Sequence, residues 1–309
     1  MQSATYTGFA ILRSNLKSGS EEDIAKAVSY GKEGIKVYPL SQAANPPETK
    51  YVDLIDTEFE STIPYDLRFF EMLDRFVQRE PWLERDKVMI GALKTIGIEK
   101  GKPFAPDSKT KAILEDAIAE AHAYLDTRYK TIFDPPFNEG KHWALPAAPG
   151  VGEGMMTNFA DPNEYVVEGR GLAYSYAYFS AKHLGAGQYY LMTIVDKDGE
   201  PLDGANTYRL NVPANPPVKL YWSATAYDRE THALIRDVKW PSRASNTPEL
   251  QKNSDGSVDV YFGPKVPGGK ESNWVPTNAK RGFEVLFRLY GPEKDFFDKK
   301  WVLPDIEKI

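Results

Sequence analysis

Apolar and polar residues alternate along the last third of the chain. Five segments there have apolar side chains at every second position, which is the period of a β-strand with one buried face. The predicted strands cover residues 189–195, 208–212, 219–228, 257–262 and 283–290. Turn-forming clusters separate these strands, and no helical pattern intervenes. The pattern predicts an α+β chain whose C-terminal part is an antiparallel β-sandwich or jelly roll behind a mostly helical segment.

A helical period replaces this alternation in the middle of the chain. Predicted helices start at Pro64, cover residues 85–96, and follow Asp161 as far as His183. Between the last two of these, Asp107 or Ser108 is predicted to cap a longer helix that ends at about Tyr129. The apolar stripe predicted for this longer helix consists of Ile113, Ala117, Ala121, Tyr124 and Leu125. Prolines and glycines over residues 130–160 predict an irregular connection.

The N-terminal segment has a strand–helix–strand pattern. Residues 5–13 and 34–40 alternate like strands, and Ser20 is a suitable cap for a helix over residues 21–31. A fragment of this size is too small for a core of its own. We therefore expect it to be the end of a larger module.

Composition excludes several kinds of chemistry. The 309 residues suffice for about two domains, and the net charge of −6 lacks the basic footprint of a nucleic-acid-binding protein. The absence of cysteine excludes disulfides, thiolate metal sites and a cysteine nucleophile. His122, His142, His183 and His232 include no pair at helical i, i+4 spacing, which excludes a helix-borne two-histidine metal site. We expect no metal site and no cofactor. We also expect no membrane span and no signal peptide in this chain.

Several strings in the β-rich part resemble one bacterial family. They are Asp196–Gly204, Tyr208–Leu210, Tyr221–Asp228, Asn253–Ser257, Val260–Pro264, Asn273–Pro276, Phe287–Tyr290 and Trp301–Pro304. In this order they resemble the domain of unknown function 1214, found at the C-terminal end of proteins that begin with the domain of unknown function 1254. Upstream, Gly34–Leu40 and Gly97–Phe104 resemble the end of that first module and the helical region that follows it.

The resemblance implies an architecture and a location, but no general activity. It implies that residues 1–50 are the remnant of a truncated N-terminal β-rich module. Residues 51–160 would form a mostly helical domain with a Pro/Gly-rich connection. Residues 161–309 would form a helix and a jelly-roll-like β-sandwich. The family's usual export signal implies a periplasmic or secreted envelope protein.

Strand parity predicts where a ligand would bind. One face of the strands is apolar, and the other collects hydroxyls, rings and charges. The predicted ligand-binding residues are Thr225, Tyr227, Tyr261, Arg288 and Tyr290, together with Trp274 in a loop. Aromatic rings stack on sugars, and an arginine grips a carboxylate, so the expected partner is a small polar or carbohydrate ligand. A solvated or helix-covered sheet face is the alternative interpretation of the same pattern.

Two other functions stay open. Asp259 and Glu284 share the polar parity, so a hydrolase using this carboxylate pair near the helical–β junction is one alternative. A homo-oligomeric assembly module, in which sheet edges and the Pro-rich junction form the contact, is the other. Whether the chain is an enzyme is therefore left undecided by its sequence.

Overall fold

The computed structural model describes most of the chain. The described residues are 4–7, 14, 16, 18, 20–54, 57, 62–147, 150–157, 159–161, 163–164, 166–176, 187–236, 238 and 240–309. They form two compact units, one of Met1–Glu60 with Phe70–Pro106, and one of Ser61–Phe69 with Asp107–Ile309. The last change from one unit to the other falls after Pro106, whereas the predicted boundaries lie after residues 50 and 160.

The helices of the described segments precede the strands, apart from one short C-terminal turn. They are α1 (Glu21–Gly34), α2 (Leu67–Arg79), α3 (Lys87–Leu93), α4 (Ser108–Tyr129), α5 (Val151–Met156), α6 (Val167–Tyr176) and α7 (Lys294–Phe297). The predicted cap of α1 is confirmed, because the Ser20 hydroxyl accepts a hydrogen bond from the backbone N–H of Asp23. After α3 the chain turns at Gly97, which has the positive φ of 86° that favours glycine at this position.

Helix α2 begins three residues later than predicted. Pro64 lies outside the helix, which starts at Leu67. The Asp66 carboxylate accepts a hydrogen bond from the backbone N–H of Arg68, so an aspartate turn forms immediately before the helix.

Helix α4 begins at the predicted cap but buries a different face. The Asp107 carboxylate accepts the backbone N–H of Thr110 at 2.7 Å, which satisfies one of the free donors at the helix start. Leu114, Ile118 and Tyr129 are buried. The predicted stripe is wrong, since its members Ile113 and Tyr124 are 56% and 55% exposed. Both faces offer apolar residues at helical spacing, and packing against the rest of the unit selects one of them.

The C-terminal part contains two four-stranded sheets. The strands are β1 (Gln188–Thr193), β2 (Tyr208–Val212), β3 (Val218–Asp228), β4 (Ser242–Ala244), β5 (Val258–Gly263), β6 (Trp274–Pro276), β7 (Phe283–Pro292) and β8 (Glu307–Lys308). The first sheet has the order β1-β7-β3-β4, and the second has the order β6-β5-β2-β8. All five predicted strands are present with ends within two residues of their predicted limits. The second sheet is mixed rather than purely antiparallel, because β5 and β6 run parallel.

The two sheets share one core. Alternate residues of both sheets, including Leu210 and Val260 of the second and Val285 and Phe287 of the first, have no exposed surface. Phe283 contacts the second sheet directly, with its ring centroid 5.9 Å from that of Phe262. The α+β class is therefore confirmed, and one face of each sheet is apolar as predicted. The jelly-roll connectivity stays a prediction.

The remaining predicted elements are either absent or lie mostly outside the described residues. The strand predicted over residues 34–40 is absent: Ile35 to Pro39 form no ladder, and Leu40–Gln42 form a short 3-10 helix. Alternation alone does not make a strand without a partner, and the backbone N–H of Val37 donates instead to the Thr49 hydroxyl. Most of the strand predicted over 5–13, and the end of the helix predicted to reach His183, lie outside the described residues.

Candidate functional site

The outer face of the first sheet, on the side away from the shared core, collects most of the polar and aromatic residues. Strand β7 contributes Glu284 and Arg288 to this face. Side chains alternate between the two faces of a strand, and Val285 and Phe287, which have the opposite parity, face the core. Strands β1 and β3 flank β7, and their register places Tyr190 opposite Arg288 and Tyr227 opposite Glu284. A polar strip, interrupted by Leu286, thus follows β7.

Arg288 lies at the centre of this strip. Its guanidinium donates hydrogen bonds to the Tyr227 hydroxyl and, at 3.3 Å, to the Thr225 hydroxyl. The same group lies 5.8 Å from the ring centroid of Tyr190 and 5.7 Å from that of Tyr227. Cation–π attraction and two neutral acceptors hold the guanidinium in place without neutralising its charge. In the described part of the chain, no carboxylate pairs with Arg288. We call Arg288, Tyr190, Tyr227 and Thr225 the arginine cluster.

Further along the strip, two tyrosines form a stacked pair. Tyr221 and Tyr290 are register partners on β3 and β7, and their ring centroids lie 4.1 Å apart with an interplanar angle of 19°. Both rings are partly exposed. The stack extends the aromatic surface of the arginine cluster along the sheet.

At the opposite end of the strip, Glu284 is fully buried. Its carboxylate lies 2.9 and 3.1 Å from Nδ1 of His232 and accepts a hydrogen bond of 3.0 Å from the Tyr129 hydroxyl. The side chains of His232 and Glu284 are only 4% and 1% exposed. A buried carboxylate needs hydrogen-bond donors for its oxygens, as His232 and Tyr129 provide here, because an unpaired buried charge is strongly destabilising.

The loop after β3 positions His232. Asp228, the last residue of β3, accepts hydrogen bonds from the backbone N–H groups of Glu230 and Thr231. His232 follows with a positive φ of 53°. The second imidazole nitrogen, Nε2, lies 3.4 Å from Nη1 of Arg229. A guanidinium only donates, so this contact favours the tautomer in which Nδ1–H donates to Glu284.

Arg229 links this network to α4. Its guanidinium lies 2.9 Å from the Asp126 carboxylate and 4.7 Å from the centroid of the Tyr129 ring. Tyr129 in turn meets the His232 ring edge-on at 4.7 Å. The end of α4 is thereby fastened to the outer face of the first sheet. The network of Glu284, His232, Tyr129 and Arg229 is a packed junction whose histidine is closed off by the arginine.

His122 and Tyr65 form a neighbouring pair of rings. They are nearly parallel, with an interplanar angle of 5° and centroids 3.7 Å apart. Burial lowers the pKa of His122, although the nearby Asp126 charge opposes that shift. Burial raises the pKa of Tyr65. Both rings are therefore neutral near pH 7, which suits stacking.

The structure divides the predicted site residues between the two sheets. Thr225, Tyr227, Arg288 and Tyr290 share the outer face of the first sheet. Tyr261 and Trp274 are register partners in the second sheet, so the expected meeting of Tyr227, Tyr261 and Arg288 does not occur.

The candidate residues of the second sheet are either buried or already hydrogen-bonded to neighbouring groups. Tyr261 is 9% exposed, and burial raises its pKa. Trp274 opens β6 rather than standing in a loop, and its indole N–H donates to the backbone carbonyl of Gly263. Asp259 accepts hydrogen bonds from the side chains of Asn211 and Asn253. Asp259 and Glu284 therefore do not form a carboxylate pair, because β5 and β7 belong to different sheets.

Sequence reasoning missed His232, Arg229, Tyr129 and Tyr190. His232 and Arg229 follow the end of β3 within four residues of Asp228, and loops that extend a strand are frequent positions of functional groups. That signal was present in the sequence. The helical pattern places Tyr129 at the end of α4, but no local feature indicates its contact with Glu284, 155 residues away.

Neither metal clusters nor membrane-spanning helices occur in the described segments. No group of three or more His, Cys, Asp or Glu side chains there is arranged to hold a metal ion. None of the helices described above combines the length and apolar character needed to cross a bilayer.

The strands that build this site coincide with a known sequence family. Residues 187–294 match the family described as "Protein of unknown function (DUF1214)". The DUF1214 segment contains all of the first sheet, including Arg288 and Glu284, and the loop that contains His232. Tyr129 and the rest of α4 lie upstream of it. No curated protein has a matching sequence.

Two solved structures are similar to the chain beyond the DUF1214 segment. One is the VPA0106 protein from Vibrio parahaemolyticus, with 19% identity, a TM-score of 0.45, and coverage of 94% of this chain and 66% of that protein. The other is an uncharacterised protein from Burkholderia cenocepacia, with 15% identity, a TM-score of 0.32, and coverage of 71% and 48%. The chain therefore spans less than two thirds of the length of either one.

Proposed function

We propose that this protein binds a small organic anion on the outer face of the first sheet, with Arg288 as the charged anchor. The observation that supports this most is the charge of Arg288. It is held by Tyr227 and Thr225 through neutral oxygens, and no carboxylate of the described residues offsets it. A half-buried guanidinium of this kind gains more from an anionic ligand than an arginine already engaged in an ion pair.

The surroundings of Arg288 favour a carboxylate attached to a ring or sugar. The rings of Tyr190 and Tyr227 flank the guanidinium, and the Tyr221–Tyr290 stack continues the aromatic surface. Such rings contact the apolar faces of sugars and aromatic acids, while hydroxyls and the arginine fork bind oxygen atoms. A uronic acid or an aromatic carboxylate combines both features.

Isothermal titration with galacturonate, benzoate and their uncharged counterparts galactose and benzyl alcohol tests this proposal. We expect a carboxylate to bind more tightly than its counterpart, and Arg288→Ala to weaken that binding at least about tenfold, or about 1.4 kcal/mol. Arg209→Ala is the matched control, because Arg209 lies in the second sheet and already pairs with Glu307. Equal effects of the two substitutions, or no preference for the charged ligands, would rule out Arg288 as the anchor.

The hydrolase alternative cannot rest on the carboxylate pair from which it was proposed. Asp259 and Glu284 lie in different sheets, so neither serves as the acid partner of the other. Glu284 instead orients His232, and the Nε2 of that histidine faces Arg229 rather than an open surface. Assembly into homo-oligomers stays a prediction that sedimentation analysis would test.

We also propose the finer family assignment and location that the sequence resemblance implies. These are the domain of unknown function 1254 for the upstream part, a jelly-roll-like sandwich, and an envelope or exported protein. The DUF1214 match over residues 187–294 supports the resemblance from the C-terminal side. Fractionation of cells that express the full-length gene tests the location, and recovery in the cytoplasm alone would contradict it.

A further inference from the structure

A cavity with charged walls lies apart from the arginine cluster. Its volume is about 540 Å³, within the range of small-molecule sites. The segment after α4 contributes Lys130 and Phe133 to its lining, the position after β1 contributes Ile194, and β7 contributes Phe283. None of the four residues of the arginine cluster lines it. The cavity is therefore a separate candidate site within the second unit.

Cations outnumber carboxylates on the wall of this cavity. Lys130, Lys141 and Arg229 line it, against the single carboxylate of Asp134 among the described lining residues. Phe133, Ile194 and Phe283 add an apolar surface. A ligand that complements this lining has an apolar body and one acidic group.

Carboxylates outside the lining contact all three cations: Asp305 lies 4.0 Å from Nζ of Lys141, and Asp126 contacts Arg229 and Lys130. The Oδ1 of Asp126 lies 2.9 Å from Nη2 of Arg229, and its Oδ2 lies 3.6 Å from Nζ of Lys130. The Asp126 side chain is 40% exposed, so solvent screens these contacts and they are weak enough to exchange. An anion inside the cavity would have to share or replace the Asp126 carboxylate.

We propose that this cavity binds small amphipathic anions, and that Asp126 is an internal competitor that sets their affinity. Arg229 and Lys130 are the cations for which ligand and Asp126 compete. Removal of the Asp126 charge then strengthens ligand binding, whereas removal of the Arg229 charge weakens it. An increase in affinity on removal of a carboxylate distinguishes this mechanism from general damage to the fold.

The test uses anilinonaphthalene sulfonate, an amphipathic anion whose fluorescence rises on binding, and its neutral analogue phenylnaphthylamine. We expect Asp126→Asn to tighten sulfonate binding about three- to tenfold, and Arg229→Gln to weaken it by a similar factor. Binding of the neutral analogue should change in neither variant. Asp298→Asn is the matched control, since Asp298 also pairs with two lysines, Lys294 and Lys300, and its replacement changes net charge equally.

The outcomes separate this site from the one at Arg288. Tighter sulfonate binding by Asp126→Asn than by Asp298→Asn, with Arg288→Ala unchanged, would establish the cavity as a site of its own. Equal responses of Asp126→Asn and Asp298→Asn would mean that net charge alone governs binding, and would overturn the proposal. A loss of sulfonate binding in Arg288→Ala, with none in Arg229→Gln, would overturn it as well.

Discussion

Replacement of Tyr129 by phenylalanine removes one hydroxyl from the buried Glu284 network and leaves the ring in place. The hydroxyl donates to Glu284 at 3.0 Å, and the glutamate is 1% exposed, so water cannot substitute for the lost donor. A hydrogen bond to a charged acceptor contributes about 1.5–3 kcal/mol, more than a neutral one. His232 still bonds to the carboxylate, so Glu284 loses one hydrogen bond, and the weak 3.3 Å contact of the hydroxyl with the Met192 sulfur is lost with it. We therefore expect Tyr129→Phe to lower the free energy of unfolding of the second unit by about 1.5–3 kcal/mol.

Tyr124→Phe on the same helix is the matched control. The Tyr124 hydroxyl also donates to a glutamate, Glu168, but both groups are exposed, and Arg128 binds the same carboxylate. Water replaces the lost donor there, so we expect a much smaller change.

Urea denaturation followed by tryptophan fluorescence measures both variants. Five of the six tryptophans lie in the second unit, so the signal reports mainly on that unit. Equal destabilisation by Tyr129→Phe and Tyr124→Phe, at unchanged dependence on urea, would refute the argument that burial sets the strength of the Glu284 network.

Two further predictions concern stability away from the site. A Cβ at Gly204 would lie 2.1 Å from the backbone oxygen of Asn278, so Gly204→Ala should cost at least about 1–3 kcal/mol in a thermal unfolding experiment. Gly268→Ala, where a Cβ meets nothing within 4 Å, should change little, and a similar loss in both would contradict the steric argument. The N–H of Thr110 lowers the pKa of Asp107, so the stabilisation by its charge is present above the unfolded pKa and is lost as pH falls through the folded pKa. Asp107→Asn should thus be less stable than wild type near about pH 6, and the gap should narrow toward about pH 3; a constant gap would contradict this linkage.

Local patterns identified much of the fold. The strands over 208–212 and 219–228 emerge from alternation alone, and Ser20 and Asp107 cap the predicted helices. Short strands leave no such signal: β8 has two residues, and a period of two is recognisable only over a longer segment.

The site was predictable only in part, because parity identifies a face but not a sheet. Arg288, Tyr227 and Tyr261 all have polar parity, yet Tyr261 lies in β5, which pairs with β2 and β6 rather than with β7. Strand pairing depends on contacts between distant segments, and the sequence of one strand does not specify its neighbour. For the same reason, the parity of Glu284 does not indicate that Tyr129 of a distant helix covers it.

The bond between Tyr129 and Glu284 has a consequence for synthesis on the ribosome. Translation proceeds from the N-terminus, so α4 emerges long before β7, the central strand on which both clusters of the outer face depend. Until then, the polar end of α4 has no acceptor for its hydroxyl and the first sheet lacks the strand between β1 and β3. These surfaces therefore stay exposed to other proteins until β7 is made. A ribosome stalled before residue 284 would hold a chain that lacks both Glu284 and Arg288.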